Sequence, residues 1–308
     1  MTDSPAGSSP FASMTEAELR DCFEREDYVA HDELVTTTLL ALRLARPLLV
    51  EGQPGAGKTE LAKVLAEGLG TELIRLQCYE GLAAEEALYE WNYAKQLLAI
   101  QTGDTDQDDV FTEEYLLERP LLRALRGGDG DRPPVLLVDE VDRADEAFEA
   151  LLLEVLSDFQ ASIPELGTVR APTPPIVVVT SNRTRSLSDA LKRRCLYLHV
   201  EPPTAEKERE ILARKVPELD AAIAAELTAM VARLREEPLV KPPGAAETLD
   251  WGRAMAVLRS EDEDEPIARE ELTQTLGTVL KEAEDVDRVD ETLLSELLDA
   301  AAEARSTD

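Results

Sequence analysis

Histidine and cysteine, the residues of most metal sites and many nucleophilic active sites, are scarce in this sequence. It contains three cysteines, Cys22, Cys78 and Cys195, and two histidines, His31 and His199. The cysteines are odd in number and widely spaced, without a CxxC pair. This argues against a disulfide framework or a zinc site and favours a reducing, cytoplasmic location. With so few histidines, neither a histidine metal site nor a Ser-His-Asp triad is expected.

Long apolar runs are missing as well. No stretch approaches the roughly 18–20 uninterrupted apolar residues that a membrane-spanning helix needs, so no transmembrane segment is expected. The first residues, MTDSPAGSSPFAS, lack the basic segment and the apolar run of a secretory signal. Their serine, proline and glycine content predicts a disordered tail over residues 1–14.

Positive charge is the third shortage. The chain carries 64 acidic residues against 32 basic ones, a net charge of −32. Such a surface repels DNA and RNA, and the sequence has no basic stripe long enough to offset it. Nucleic acid is therefore not an expected partner.

The chain of 308 residues is long enough for one large and one small domain. Short apolar runs alternate with helical segments, a pattern that predicts an α/β domain whose parallel sheet is covered by helices on both faces. Beyond residue 202 only helical periodicity remains. The sequence thus predicts an α/β core with a five-stranded sheet over residues 15–202 and a smaller all-helical domain over 203–308. The predicted strands are 47–51, 72–79, 133–140, 174–182 and 195–200.

Apolar residues at helical spacing predict helices between these strands. The segment FQASIPELGTVRAP (159–172) predicts a β-hairpin insertion. Two acidic runs, DTDQDD (104–109) and EDEDE (261–265), predict polar, solvated loops. The predicted helices are 33–45, 59–70, 80–101, 113–127 and 148–159. Within 113–127, Pro120 is expected to mark a kink or a helix start.

The segment GQPGAGKT matches the pattern GxxxxGK[ST] of a phosphate-binding loop and lies between a predicted strand and a predicted helix. Glycines let the backbone wrap closely around phosphates, and the following helix directs its positive end at the anion. Lys58 is expected to reach the β- and γ-phosphates of ATP, and Thr59 to bind Mg²⁺. The predicted binding residues are Gly52, Gln53, Pro54, Gly55, Ala56, Gly57, Lys58 and Thr59.

Two carboxylates, Asp139 and Glu140, follow four apolar residues at the end of a predicted buried strand. A carboxylate at such a place is costly unless it is used. We interpret Asp139 as a magnesium ligand and Glu140 as the general base that orients the attacking water. Acids that cap the next helix are the alternative, which fits Asp142 or Asp145 better. Asn182 ends the next strand and is expected to hold the water, although asparagine also favours turns.

Arg193 and Arg194 precede the last predicted strand. A guanidinium at this place can stabilise charge on a transferring phosphoryl group, including one bound by a neighbouring subunit. A surface cluster with Lys192 is the alternative. Arg253, in the helical domain, is by itself an ordinary surface arginine.

Together these segments resemble the AAA+ ATPases, specifically the MoxR family, over about residues 25–260. The general likeness rests on GQPGAGKTE, VLLVDEVDRAD, VVVTSN and the paired arginines of LKRRC. The stretches LQCYEGLAAEEALYEWNYAKQLL, LLERPLLRAL and AETLDWGRA are more specific. They are similar to the MoxR-type ATPases that accompany maturation of aerobic carbon monoxide dehydrogenase, a molybdenum–copper hydroxylase.

The resemblance implies an AAA+ core with a helical lid that hydrolyses ATP with Mg²⁺. It implies that Asn182 is the sensor-1 residue, Arg194 the arginine finger and Arg253 the sensor-2 arginine. It also implies that Val29 lies beside the adenine and that the nucleotide-binding segment extends to Glu60. A homo-oligomeric ring, usually a hexamer, is implied, together with a von Willebrand factor A-domain protein and a metalloenzyme client as partners.

The sequence departs from the family pattern at four positions. Arg193 stands where aspartate is common and Cys195 where phenylalanine is common, so either arginine of the pair can be the finger. Asp142 replaces an asparagine, and Gln53 replaces a proline. These departures leave every essential phosphate and metal contact in place.

Other functions stay open on the sequence alone. A nucleotide-gated binding module with little turnover is one, although Glu140 argues against it, because a binding switch needs no base. A DNA-directed machine is another, which the net charge opposes. Within the MoxR type, the client can be another dehydrogenase, a gas vesicle or an envelope complex.

Overall fold

The computed structural model describes residues 9–102, 110–128, 132–164, 166–259 and 265–306. These form two compact units. The first comprises residues 9–26, 30–52 and 58–199, and the second comprises residues 27–29, 53–57 and 200–306. The predictions for the first eight residues of the tail, for DTDQDD and for most of EDEDE lie outside the described residues.

The strands follow the alternation that the sequence predicts, with additional short pairs. In chain order they are β1 (Leu48–Gly52), β2 (Leu73–Gln77), β3 (Tyr89–Trp91), β4 (Leu116–Glu118), β5 (Val135–Asp139), β6 (Gln160–Ile163), β7 (Gly167–Arg170), β8 (Ile176–Ser181) and β9 (Leu196–Val200).

The helices cover the sheet of the first unit and make up the second unit. They are α1 (Glu16–Arg25), α2 (Asp32–Leu44), α3 (Lys58–Leu69), α4 (Ala84–Leu88), α5 (Tyr93–Thr102), α6 (Pro120–Arg126), α7 (Glu146–Asp158), α8 (Asp189–Arg194), α9 (Ala205–Lys215), α10 (Ala221–Leu234), α11 (Ala245–Leu258), α12 (Arg269–Val279), α13 (Ala283–Asp287) and α14 (Glu291–Arg305), with 3₁₀ turns at Glu113–Tyr115 and Val141–Arg143.

The predicted five-stranded parallel sheet is confirmed, and its strand order is β2-β5-β8-β1-β9. β1 and β5 are buried at every residue, as expected for central strands of a sheet covered on both faces. Because the strands run parallel, their carboxyl ends meet at one edge of the sheet. Gly52, Gln77, Asp139 and Ser181 end their strands at this edge, which carries the candidate site.

Residues 80–101, predicted as one helix, form three elements, so that prediction is wrong. α4 is followed by β3, and α5 begins only at Tyr93. β3 pairs antiparallel with β4, and this pairing buries Trp91, whose ring packs edge-on against Phe111 at a centroid distance of 5.3 Å. Tertiary pairing overrides the helical periodicity of the segment.

The helix predicted over 113–127 is wrong in its first half, where β4 lies. The expectation that Pro120 can mark a helix start is confirmed, because α6 begins there. Proline suits this position because the backbone N–H that it lacks would have no partner within the helix. The predicted hairpin insertion is present as the antiparallel pair β6 and β7. Its residues Ala161 and Ile163 are fully buried, so the hairpin is anchored in the core of the first unit.

The second unit packs its helices around Trp251, which is fully buried and donates its indole N–H to Thr275 Oγ1 at 2.8 Å. Its interior also holds buried carboxylates, one of which, Glu208, accepts two hydrogen bonds from Arg235. Within the described part of the chain, every helix is too short or too polar to span a bilayer.

Candidate active site

The glycine-rich loop leaves β1 at Gly52 and enters α3 at Lys58. Gly55 and Gly57 have φ angles of 80° and 85°. These lie in the left-handed region, where a residue with a Cβ atom would be strained. Gly55 lies within a tight turn over residues 53–56, in which the Ala56 N–H donates to the Gln53 carbonyl at 3.3 Å, and Gly57 follows it. The glycines at these two positions are therefore required by the backbone path of the loop.

Gly55 has a second reason to lack a side chain. Within the second unit, a Cβ at this position would lie 3.2 Å from the Cα of Gly244, closer than side chains ordinarily pack. Gly244 is the N-cap of α11, and its N–H donates to Glu247 Oε2 at 3.0 Å. The helix that carries Arg253 thus begins against the glycine loop, and substitution of Gly55 would disturb both.

Lys58 is almost fully buried, and its Nζ donates to the Gly52 carbonyl at 2.9 Å. Burial lowers the pKa of Lys58 below its usual value, although the charges of Asp142, Asp139 and Glu140 oppose this shift. A buried ammonium favours a bound polyphosphate, because the anion replaces the hydration that the cation has lost.

Asp139, at the tip of β5, is buried and accepts four hydrogen bonds. Its Oδ1 accepts from the hydroxyls of Thr59, at 3.0 Å, and Thr180, at 2.5 Å. Its Oδ2 accepts from Nε of Arg75 at 3.1 Å and from Nη2 of the same side chain at 2.6 Å. The structure therefore brings Thr59 and Asp139 together, as the sequence predicts for a magnesium site.

Glu140 follows directly and has a left-handed backbone, with φ 55° and ψ 49°. That conformation is strained in a residue with a side chain and is common at functional sites. It places Oε1 3.3 Å from Nδ2 of Asn182 and Oε2 3.3 Å from Nε2 of Gln77. Arg143 Nε lies 3.2 Å from Oε2. The predicted base and the predicted water-holding amide are thus in contact.

Asp142 fixes the position of Asn182. Its carboxylate accepts from the Asn182 N–H at 3.1 Å, from the Thr184 N–H at 2.9 Å and from the Thr184 hydroxyl at 2.6 Å. Burial raises the pKa of Asp142, but these hydrogen bonds outweigh burial and leave the pKa below its usual value. The ionised carboxylate therefore holds the turn that presents the Asn182 side chain to Glu140.

The two arginines of α8 differ in their surroundings. Arg194 donates from Nε to Ser157 Oγ at 2.5 Å, whereas the described residues offer the exposed Arg193 side chain no partner. Arg46 binds the backbone of both residues. Its guanidinium donates to the Arg193 carbonyl at 2.7 Å and to the Arg194 carbonyl at 3.2 Å. The end of α8 is thus held in place while the Arg193 guanidinium stays available.

Three predicted residues remain. Glu60 pairs with Lys63 at 3.2 Å in the first turns of α3, and within the first unit its described contacts do not include Asp139 or Glu140. Arg253 is half-exposed and lies 3.5 Å from Asp250. Val29 belongs to the second unit together with the loop residues 53–57.

Residues 47–195 match the family described as AAA domain, dynein-related subfamily. This stretch contains the glycine loop, both strand-tip carboxylates, Asn182 and the paired arginines. Over this stretch the chain is similar to MoxR-like AAA+ proteins. Its five-stranded sheet with flanking helices and a helical C-terminal region is the AAA+ fold.

Curated proteins that are similar to this chain include the chaperone MoxR1 of Mycobacterium tuberculosis, 27% identical over 217 residues that span 68% of this chain and 51% of MoxR1. The denitrification regulatory protein NirQ of Stutzerimonas stutzeri is 28% identical over 198 residues, or 61% of this chain and 63% of NirQ. The alignments thus span only about half to two thirds of these relatives.

Among solved structures, the Holliday junction branch migration motor RuvB of Thermotoga maritima is similar at 20% identity, with a TM-score of 0.46, and the match covers 92% of this chain and 72% of that one. A putative ATPase from Cytophaga hutchinsonii matches at 13% identity and a TM-score of 0.46, with 96% of each chain covered.

The oxygen ligands at the site fit Mg²⁺ bound with a nucleotide. In the described ranges, no group of three or more His, Cys, Asp or Glu side chains is arranged to hold a metal ion by itself. Mg²⁺ typically takes one or two carboxylates and completes its shell with waters and phosphate oxygens. The hydroxyl of Thr59 and the carboxylate of Asp139, 3.0 Å apart, provide the protein part of such a shell.

Sequence reasoning missed several residues of this site. Thr180 links the Asp139 carboxylate to the backbone of Glu140, since its hydroxyl donates to Asp139 and accepts from the Glu140 N–H at 2.9 Å. Arg75 and Gln77 lie on β2, which pairs with β5. A signal was present in β2, because polar residues alternate with buried ones there, but the pairing of β2 with β5 is a matter of topology.

Proposed function

We propose that this chain is an ATPase that uses ATP and Mg²⁺ to remodel or mature a client metalloenzyme in the cytoplasm. In this proposal an α/β core over residues 15–202 binds and hydrolyses the nucleotide, and a helical lid over 203–308 closes on it. The observation that carries the proposal is the contact of Glu140 with Asn182 beside the Thr59–Asp139 pair. A carboxylate base, an amide to hold water and a cation-binding pair are the parts that phosphoryl transfer to water requires.

Each residue has a role that its surroundings support. The loop residues 52–57 bind phosphates through backbone N–H groups, and Lys58 neutralises their charge. Glu140 accepts the proton of the attacking water, and Asn182 orients the water against it. Mg²⁺, when bound, neutralises charge that develops on the phosphate oxygens. Thr59 and Asp139 would hold that ion.

The arginine finger is proposed to act between subunits of a homo-oligomeric ring, for which a hexamer is the expected size. We assign the role to Arg193 rather than Arg194, because Arg194 is bound to Ser157 at 2.5 Å. The C-terminal end of α8, held by Arg46, gives Arg193 a fixed base from which to reach a neighbour. Arg253 is proposed to meet the nucleotide from the lid as the sensor-2 arginine, and Val29 to line the adenine.

The client is proposed from resemblance. MoxR1 is described as a chaperone and NirQ as a denitrification regulatory protein, and the YEWNY and ETLDW stretches favour a molybdenum hydroxylase such as carbon monoxide dehydrogenase. A von Willebrand factor A-domain protein is the expected partner. The net charge of −32 continues to oppose a role on nucleic acid.

The test is a capture experiment with a variant that binds ATP but does not hydrolyse it. Glu140→Gln keeps the size of the side chain and removes the base, so it should bind ATP, stall and retain its partner. The variant is purified with ATP and Mg²⁺ from its own host, and co-purifying proteins are identified by mass. A molybdenum hydroxylase subunit or an A-domain protein is expected.

Two controls separate the parts of this proposal. Lys58→Ala should lose both nucleotide and partner, whereas Glu146→Gln, an equal change in charge in the first turn of α7, should behave as the wild type. A trap that binds ATP but captures only unrelated proteins rejects the client and keeps the ATPase. Consumption of one ATP per wild-type chain and no more rejects turnover and favours a nucleotide-gated binding module.

A further inference from the structure

The carboxylate of Asp139 is saturated by protein donors. A carboxylate offers about four lone-pair sites, and here each oxygen accepts two hydrogen bonds. Oδ1 is shared by two hydroxyls, Thr59 and Thr180, while Oδ2 is taken entirely by the guanidinium of Arg75. The Asp139 side chain is 3% exposed, so these donors, and not bulk water, satisfy it.

The two sides of this carboxylate differ in how they accommodate a metal ion. The Thr59 hydroxyl donates its proton to Asp139 and still has lone pairs for a cation, so that contact is compatible with bound Mg²⁺. Arg75 is not, because its positive charge lies 2.6 Å from Oδ2 and a dication approaching the same oxygen is repelled. Mg²⁺ therefore competes with Arg75 for one oxygen of Asp139.

Arg75 is able to leave. Its side chain is 52% exposed, and its other described contact is a 2.6 Å hydrogen bond to Gln77 Oε1, also at the surface. A long side chain on the exposed side of β2 can swing into solvent at the loss of a few exposed hydrogen bonds. The loss is repaid only when another cation neutralises the buried carboxylate, since an unpaired buried charge is strongly disfavoured.

We propose that Arg75 is a positioning residue that takes the place of the metal ion in the nucleotide-free protein. It neutralises Asp139, holds it ready beside Thr59 and keeps Mg²⁺ out until phosphate oxygens supply the rest of the shell. This inference rests on the proposed function for the identity of the metal. Arg75 thereby couples arrival of the metal to arrival of the nucleotide.

The experiment measures metal binding without nucleotide. Mn²⁺, which has an electron spin resonance signal that disappears on binding, is titrated into the nucleotide-free full-length protein. Wild type should bind it weakly. Arg75→Gln, which removes the competing charge and leaves Asp139 to seek a cation, should bind at least about tenfold more tightly, a factor that corresponds to 1.4 kcal/mol. Mg²⁺ alone should raise the melting temperature of Arg75→Gln but not that of the wild type.

Two further variants keep the proposal open to refutation. Arg75→Lys retains the charge but cannot donate through two nitrogens, so it should bind Mn²⁺ more tightly than the wild type and less tightly than Arg75→Gln. The comparison of Arg75→Lys with the wild type still tests the proposal if Arg75→Gln fails to fold. Arg235→Gln, which removes the partner of a different buried carboxylate, Glu208, should lose stability without gaining Mn²⁺ affinity. Unchanged or weaker Mn²⁺ binding in the Arg75 variants overturns the proposal. The Mn²⁺ titration involves no ATP hydrolysis. If the wild type did not turn over ATP, the proposed function would be rejected, but the effect of Arg75 on Mn²⁺ binding would be unaffected.

Discussion

Asp139 in the first unit and Glu208 in the second are both buried carboxylates bound through two nitrogens of one arginine. Arg235 meets Glu208 as a fork, with one nitrogen on each oxygen at 3.0 and 2.7 Å, and also donates to the Pro243 carbonyl. Arg75 places both nitrogens on one oxygen of Asp139. Its side chain is 52% exposed, against 24% for Arg235.

The difference separates a structural pair from a functional one. Glu208 and Arg235 join helices of the second unit, and Arg235 is held further by the Pro243 carbonyl. Asp139 lies at the carboxyl edge of a parallel sheet, where ligands of open α/β sheets bind, and its arginine reaches it from the surface. Burial of an ion pair thus does not by itself reveal the role of the pair. The exposure of the arginine and the position of the carboxylate in the fold distinguish the two cases.

The largest effect is expected at the structural pair. Arg235→Gln leaves Glu208 charged and buried without its fork, and loss of one partner of such a pair costs about 3–5 kcal/mol in free energy of unfolding. Urea unfolding measures this. Arg214→Gln, which breaks the exposed pair with Glu210 one helix turn away, should cost at most about 0.5 kcal/mol. Equal losses in free energy of unfolding for Arg235→Gln and Arg214→Gln would contradict a structural role for Arg235.

At the phosphate loop, Lys58→Ala should weaken ATP binding by about a hundredfold or more. The reason is that the variant loses charge-assisted hydrogen bonds to phosphate worth about 1.5–3 kcal/mol each. Equilibrium binding of a fluorescent ATP analogue measures the loss. Lys63→Ala, on the exposed side of the same helix, is the control and should bind as the wild type does. Retained affinity in Lys58→Ala would mean that the loop does not bind phosphates.

Asn182→Ala should lower the rate of ATP hydrolysis by about ten- to a hundredfold, a loss in the range seen when one preorganised donor is removed from an active site. Nucleotide affinity should change little, because the described contact of the amide is with Glu140, the proposed base. Steady-state phosphate release and nucleotide binding are compared with those of Asn92→Ala, whose amide oxygen instead accepts from the Lys95 N–H. A parallel fall in rate and affinity would make Asn182 a binding residue.

The smallest effect concerns pH. The pKa of Lys58 lies below its ordinary 10.5 because burial disfavours the charged form. Between this lowered pKa and 10.5, the unfolded chain binds more protons than the folded one, so the free energy of unfolding gains from Lys58 as pH rises through that window. Lys58→Met should lack this gain and Lys63→Met should keep it, as measured by urea unfolding at increasing pH. If Lys58→Met showed the same rise in free energy of unfolding with pH, the rise would come from other titrating groups.

Much of this site could be predicted from sequence because its parts are local. The glycine loop is one contiguous segment with a fixed pattern, and Asp139 and Glu140 directly follow a run of buried residues. The contact of Asp139 with Thr59 follows from the parallel sheet, whose strands have their carboxyl ends at one edge. Local pattern and simple topology together are enough for these residues.

The parts that escaped prediction depend on which strands are neighbours. Arg75 reaches Asp139 only because β2 pairs with β5, in a register that sets Gln77 opposite Asp139, and Thr180 does so because β8 pairs with β5 on the other side. The one helix predicted over 80–101 failed for the same reason, since β3 finds its partner β4 more than 20 residues later. Pairing at long range leaves no periodic signal in either segment.

Phosphate release by wild type and Glu140→Gln, measured side by side with ATP and Mg²⁺, tests the central claim most directly. The account predicts repeated turnover by the wild type and a fall of about a hundredfold or more in the variant, as expected for loss of a general base. The variant should bind ATP as tightly as the wild type. Equal rates in the two proteins, or no turnover by the wild type, would contradict the assignment of Glu140 and of the site around it.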